Sequence, residues 1–396
     1  MTILAISLLG FALIAYFKPT FAVGLILALL PTYLVRFQFG ALPTTLLELL
    51  LIVFLAVTLA KNFWRLAELK NLGKLNWFIA AFVLAGIISA AISPDRHAAL
   101  GILKAFILEP VLFFYALRLT LRKIQDLTTP LNLMFLSAIL ISLAGILQYA
   151  TFIHLPLRFW GTGAEVERIT SVFDYPNALA LYLAPLCSFF FAGFVFGGRV
   201  LNRKNLFIGL LIMIAALALT YSRGAWLAFA VSVLVILAPK YPIKKVALAA
   251  AAIAAVLLII PQSRQRLALT AHDPSSEARI DLMQAAEVRL ERNPILGNGL
   301  AGFRTTLEQQ NFHGEILNYP HNIFFNFWIE MGALGLISFF AVMIAAIARW
   351  NINPAWFKTA ALVYLLALFI HGLVDVPYFK NDLSILFWFV ISIFYI

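Results

Sequence analysis

The segment 206-LFIGLLIMIAALALTYSRGAWLAFAVSVLVILA-238 decides the fold. At about 1.5 Å per residue it makes a helix of roughly 50 Å, whereas the hydrocarbon core of a bilayer is about 30 Å thick. One straight span does not fit, and neither does a buried helix of a soluble protein. Tyr221, Ser222 and Arg223 interrupt the apolar run at its middle, and Gly224 follows them with access to backbone angles closed to other residues. Two short spans joined by a tight turn at Tyr221 to Gly224 reconcile the length with the composition. Arg223 then stands at a mouth of the membrane. Two readings of it stay open: a guanidinium snorkelling to the headgroups, or one held for an anionic ligand.

The composition of the whole chain agrees with this solvent. Its 396 residues are 63% hydrophobic and 12% charged, where soluble proteins carry about 25% charged residues. The expected fold class is an all-α integral membrane protein. The single cysteine, Cys187, lies inside an apolar run, which excludes a disulfide framework and a thiolate metal cluster. The N-terminal run MTILAISLLGFALIAYF has no basic residue ahead of its apolar core and no small-residue cleavage site. It reads as a retained helix rather than a cleaved signal.

Apolar runs bounded by polar clusters predict spans near 3–17, 20–36, 45–60, 75–93, 98–117, 130–151, 176–197, 206–220, 224–239, 245–260, 322–348, 356–372 and 383–396, a bundle of about 12–13 helices. The first two are short, and Lys18-Pro19 between them fits a turn or a kink equally. Basic residues fall in alternate connections: Lys61, Arg65, Lys70 and Lys74; Arg118, Arg122 and Lys123; Arg199, Arg203 and Lys204; Lys240, Lys244 and Lys245; Arg349 and Lys358. By the positive-inside rule these connections are cytoplasmic. The net charge of +11 is then mostly a topology signal and implies no nucleic-acid partner. The intervening connections, 152–175, the turn at Tyr221, a loop over 261–320 and 373–382, lie outside. Residues 1–396 read as a single polytopic membrane domain, with the extracytoplasmic loop 261–320 inserted in it.

Four further polar groups fall on that outer side. In 167-ERITSVFDYPNALALYL-183, Arg168 precedes a span that opens at Pro176 and Asn177, which is also an ordinary helix start. In the loop, 273-DPSSEARIDLMQAAEVRLERNP-294 predicts an amphipathic helix whose Ile280, Met283, Ala286 and Leu290 share a face. Arg279 lies in its first turn or two, an awkward place for a cation against the helix dipole unless an anion is near. No lysine occurs between Lys245 and Lys358, while Arg264, Arg266, Arg279, Arg289, Arg292 and Arg304 do. Arginine grips phosphate with a planar fork where lysine offers a point charge. Surface pairing with Glu287 and Glu291 explains some of these arginines equally well. In 318-NYPHNIFFNFWIEMGALGL-336, His321 stands at the mouth of a long span. Imidazole titrates at about 6.5, which suits a base for a hydroxyl nucleophile; a helix-end hydrogen bond is the plainer use. In 371-HGLVDVPYF-379, His371 and Asp375 lie one helical turn apart, as a structural pair or as part of a site.

The sequence holds no phosphate-binding Gly-rich loop with Lys-Ser/Thr, no paired-histidine zinc helix and no acidic pair at metal-ligand spacing on the outer face. Neither metal nor cofactor is implied. Taken in order, the stretches RITSVFDYPNALALYL, TYSRGAWLAF, EARIDLMQAAEVRLERNPILGNGLAGF and PHNIFFNFWIEMGALGL, from Arg168 to Leu336, resemble the O-antigen ligase and polymerase superfamily. These are membrane glycosyltransferases that handle undecaprenyl-diphosphate-linked glycans. The N-terminal third matches only as generic spans.

The resemblance implies a GT-C-like helical bundle in the bacterial cytoplasmic membrane, with its active site facing the periplasm. It implies metal-independent transfer from the lipid diphosphate donor to a hydroxyl of a glycan, lipid or protein acceptor. It places Arg223 and Arg279 as diphosphate clamps and His321 as the acceptor-activating residue, with Arg168 lining the same cavity. Asn177, Tyr319, His371 and Asp375 complete the expected substrate-binding set. Trp160, Tyr319 and Trp328 suit stacking on sugar faces, although such residues also form interfacial belts. Two alternatives remain open at this point: a surface-polysaccharide polymerase of the same superfamily, and a transporter of an anion or a lipid-linked glycan. Against the transporter stand the asymmetric long loop and the lack of half-to-half repeats.

Overall fold

The computed structural model describes the chain except residues 1, 40–41, 152–166, 198–201, 260–273, 311, 313, 315 and 351–355. Expectations for Trp160, Arg199, Arg264, Arg266 and the start of the 261–320 loop lie outside the described residues. The helices follow the apolar runs closely. They are α1 (Thr2–Phe17), α2 (Pro19–Ala28), α3 (Leu46–Asn62), α4 (Lys74–Ile92), α5 (Arg96–Ile102), α6 (Glu109–Thr120), α7 (Thr128–Thr151) and α8 (Pro176–Phe196). Then come α9 (Arg203–Leu219), α10 (Arg223–Leu237), α11 (Ile243–Ile259), α12 (Pro274–Arg292), α13 (Gly302–Gln309), α14 (Ile323–Ile347), α15 (Trp356–Gly372) and α16 (Asn381–Ile393). A π-helical turn, Leu103–Leu108, joins α5 to α6.

Among the described residues, six helical segments are long and apolar enough to cross a membrane: Leu46–Leu72, Lys74–Ile92, Arg96–Thr120, Ile124–Thr151, Pro176–Phe196 and Ile323–Ile347. The chain is an all-α integral membrane protein. The helices α1, α2, α10, α15 and α16 are apolar but shorter. The predicted run 20–36 differs most. Its α-helix stops after ten residues and tightens into a 3-10 turn over Leu30–Leu34, where Pro31 supplies no amide hydrogen to continue the ladder. A two-stranded hairpin, Arg36–Phe39 with Leu42–Thr45, then leads to α3.

Two compact units form: Met1–Met134, Asp281–Asn351 and Tyr378–Ile396 in the first, Phe135–Ile280 and Ile352–Pro377 in the second. In the first, α14 lies along α4 and α16 along α6. Aromatic rings fill the interior: Phe327 stacks on Phe339 at 4.0 Å between centroids, and Phe339 on Phe387 at 5.0 Å. Such pairs add about 0.5–1.5 kcal/mol each beyond their buried area. Several basic residues bind helix ends of this unit. Arg65 donates to the Leu119 carbonyl at 3.1 Å, Lys61 to the Tyr16 carbonyl at 2.5 Å, and the Arg349 guanidinium lies 4.9 Å from the Tyr395 ring centroid. The ends of α1, α3, α6, α14 and α16 thus meet around Lys61, Arg65 and Arg349.

The long span predicted near 322–348 is one helix broken at Gly332, whose backbone sits at φ 66°, ψ −175°. That region is essentially reserved for glycine, and another residue held there costs about 1–3 kcal/mol. A Cβ would also stand 2.3 Å from the Ile295 carbonyl oxygen. Gly332→Ala is therefore expected to lower stability by at least about 1 kcal/mol, read as a fall in the thermal unfolding midpoint in detergent. An unchanged midpoint would mean that the break is not a fixed feature of the helix.

In the second unit α8 is the hub, packed on α9, α10 and α15 and buried on nearly every face. A helix hydrophobic all round belongs inside a bundle. At the end of α8, the Val195 carbonyl accepts from Lys240 and the Arg203 guanidinium lies 5.1 Å from the Phe194 ring. The other end of α8 begins with Pro176 and Asn177, and there the polar groups of this unit converge.

Candidate functional site

Three helix N-termini of the second unit bring arginines together. The first is that of α8. Arg168, just upstream, donates from Nη2 to the Asn177 Oδ1 at 2.6 Å and from Nε to the Thr220 carbonyl at 2.7 Å. Asn177 in turn donates to Asp375 Oδ2 at 3.2 Å. Arg168, Asn177 and Asp375 are thus one hydrogen-bonded chain, and Asp375 is buried. Through Thr220 the same chain fixes the turn before α10.

The second N-terminus is that of α10, where Arg223 is the first helical residue and Ser222 makes no side-chain cap. A cation at this end opposes the helix dipole. Nearby, Tyr221 is buried at φ 48°, a strained backbone for a bulky residue. Burial, reinforced by Tyr149 and Glu167, pushes its phenol up to about 12, so it stays a neutral donor at physiological pH.

The third is that of α12. The Arg223 Nη2 donates to the Ser276 Oγ at 3.1 Å. Ser276 and Arg279 are three residues apart, hence neighbours on one helix face. Arg279 is half-buried in the second turn, as the sequence predicts. The Arg223–Ser276 contact thus joins the N-termini of α10 and α12, and Arg279 lies one turn along α12 from it. His371 completes the group: its ring packs on Gly224, where a Cβ would stand 3.1 Å from Cδ2, and both Asp375 and Arg279 act on it electrostatically. At 1% exposure it is an interior residue.

Tyr319 and His321 belong to the first unit. Tyr319 lies with its ring 5.9 Å from that of Phe379. His321 is half-buried with φ 51°, a left-handed backbone that costs a non-glycine residue about 1–2 kcal/mol. Asn322 caps α14, its Oδ1 accepting from the amides of Phe324 at 2.9 Å and Phe325 at 3.3 Å. The side-chain cap of α14 is thus supplied by Asn322.

The predicted apolar face of α12 is off by part of a turn. Ala286 and Leu290 are buried as expected, but their companions are Leu282 and Ala285, in a cluster with Phe303, Leu307 and Ile329. Ile280 is 43% exposed and Met283 only half-buried. The loop arginines divide by environment. Arg289 grips Asn298 Oδ1 through Nε and Nη2 at 2.9 and 2.6 Å, Arg304 pairs with Glu308 on the surface, and Arg292 is exposed. Sequence reasoning missed Ser276, Tyr221 and Glu330. The first two sit in or beside the stretches already singled out; a carboxylate in the apolar run FNFWIEMGALGL was the available signal for the third. Among the described residues, no group of three or more His, Cys, Asp or Glu side chains gathers at a metal-binding geometry.

The class so defined is a polytopic helical membrane protein with arginines drawn to helix N-termini at one end of a unit. Residues 208–340, about a third of the chain, match the family model for O-antigen ligase. The match supports a membrane glycosyltransferase-like function in O-antigen processing. It takes in Arg223, Arg279, Tyr319 and His321, and leaves Arg168, Asn177, His371 and Asp375 outside its bounds. A comparison with curated proteins gives no match.

Proposed function

We propose that the protein transfers a glycan from an undecaprenyl diphosphate donor to an acceptor hydroxyl at the outer face of the bacterial cytoplasmic membrane, without a metal and with inversion. Residues 1–396 work as one membrane domain and 261–320 as its extracytoplasmic loop. The observation that carries this reading is the Arg223–Ser276 contact, which joins two helix N-termini one turn from Arg279. A leaving diphosphate develops negative charge, and fixed guanidinium groups and helix dipoles stabilise it without rearranging. The lipid tail stays in the bilayer while the head reaches groups at the membrane mouth. Arg168, Asn177 and Asp375 hold the turn that presents Arg223, and His371 packs beneath it. His321 takes the proton of the acceptor hydroxyl as the bond to the anomeric carbon forms and the bond to the diphosphate oxygen breaks. Tyr319 offers an aromatic face to a sugar.

The glycans of a deletion strain test the reading. Loss of the protein should leave long chains accumulating on the lipid diphosphate and none on the final acceptor. Single lipid-linked repeats instead would assign polymerisation, and an unchanged glycan profile would remove the protein from this chemistry.

A further inference from the structure

The break in α14 is filled by the connector 294–303. At the break the helix loses its own ladder, and the connector replaces it: the Asn298 amide donates to the Ile329 carbonyl at 2.6 Å, and the Ala333 amide to the Ile295 carbonyl at 2.9 Å. Trp328 Nε1 donates to the Pro294 carbonyl at 2.6 Å. Gly297 is obligatory, since a Cβ there would stand 2.5 Å from the Trp328 carbonyl oxygen. The far side of the connector is anchored on α4, where Ser93 Oγ donates to the Leu300 carbonyl at 2.6 Å.

One acidic side chain closes this assembly. Glu330, fully buried, accepts from the Ala301 amide at 2.6 Å through Oε2 and from the Phe303 amide at 3.3 Å through Oε1. It thus caps the N-terminus of α13 from another helix, and does so two residues before Gly332. Ala301 adopts φ 60°, a left-handed backbone that needs such an anchor. A buried acidic side chain in an apolar span is costly, and a hydrophobic residue would pack there at less cost. Its presence calls for a role that packing does not supply.

We infer that Glu330 is a positioning residue: by clamping the connector into the break of α14, it sets the aim of the N-terminal arm Ile323–Met331, at whose head His321 and Asn322 stand. The inference rests on the proposed role of His321. Glu330→Gln keeps the volume but turns an N–H group toward one of the two amides it must accept from. Hydrogen exchange of the 295–303 backbone should rise about tenfold or more, since a lost buried partner costs about 1–3 kcal/mol. The kcat of glycan transfer should fall roughly 100-fold, the effect of a misplacement near 1 Å. Donor affinity and acceptor KM should stay close to wild type. Glu330→Asp, which keeps both acceptor oxygens one methylene back, should give smaller changes in the same directions, and it serves if the glutamine variant does not fold.

Unchanged exchange would overturn the clamp, and faster exchange with wild-type kcat would overturn the positioning. Loss of donor binding in step with kcat would reduce Glu330 to a general support of the fold. Failure of the underlying reading shows separately, as turnover retained by His321→Ala, while the exchange measurement is independent of the reaction.

Discussion

His321→Ala is expected to abolish glycan transfer while leaving donor binding near wild type. The imidazole stands at the head of α14 on a strained left-handed backbone, next to Asn322, which caps that helix. Strain of this kind persists where the surroundings over-determine it, and it clusters at functional positions. A general base contributes about 10²–10⁴-fold to a rate, and the loss should appear in kcat with donor Kd unchanged. The two measurements are single-turnover transfer by purified protein and, separately, binding of the lipid diphosphate. Loss of donor affinity together with turnover would recast His321 as a donor clamp. Full turnover would dismiss it from the mechanism.

Arg223→Lys is expected to cost nearly as much, though the charge is kept. The planar fork offers two parallel donors to a diphosphate, and an ammonium offers one point charge. In the structure one Nη of that fork already reaches Ser276, which fixes its plane against α12. Removing one preorganised donor to a developing oxyanion costs about 10²–10³-fold in kcat. Arg223→Lys and Arg279→Ala should each fall in that range, and the double variant should fall by less than the product, because the two act on one diphosphate. Near-normal turnover by well-folded Arg223→Ala would return Arg223 to the headgroup-snorkelling reading.

The sequence revealed the helices more fully than the site. Apolar length between charged connections is a one-dimensional signal, and it located α3 to α11 and α14 to α16 to within a few residues. It lost the run after Pro19, because a 3-10 turn and a hairpin can be as apolar as a span. The break at Gly332 also escaped notice: EMGALGL reads as continuous helix, and only the backbone of 294–303 packed into it explains the glycine. Within the second unit, the chain Arg168–Asn177–Asp375 joins residues 198 positions apart in its longest link, which no local pattern encodes. The face of α12 was misjudged at Ile280 because periodicity fixes a stripe only to about one residue when small and large apolar side chains alternate with charges. The placement of Arg279 early in α12 was legible because Asp273-Pro274 marks the helix start.

The most direct test is turnover of a defined undecaprenyl-diphosphate oligosaccharide by the purified protein in detergent, with an acceptor present and EDTA added throughout. Release of undecaprenyl diphosphate matched by glycan on the acceptor, with inverted anomeric configuration and no loss of rate in EDTA, is the expected result. EDTA inhibition reversed by a divalent ion would contradict the metal-independent mechanism. No bond cleavage, but movement of intact donor across reconstituted vesicles, would contradict the transferase itself.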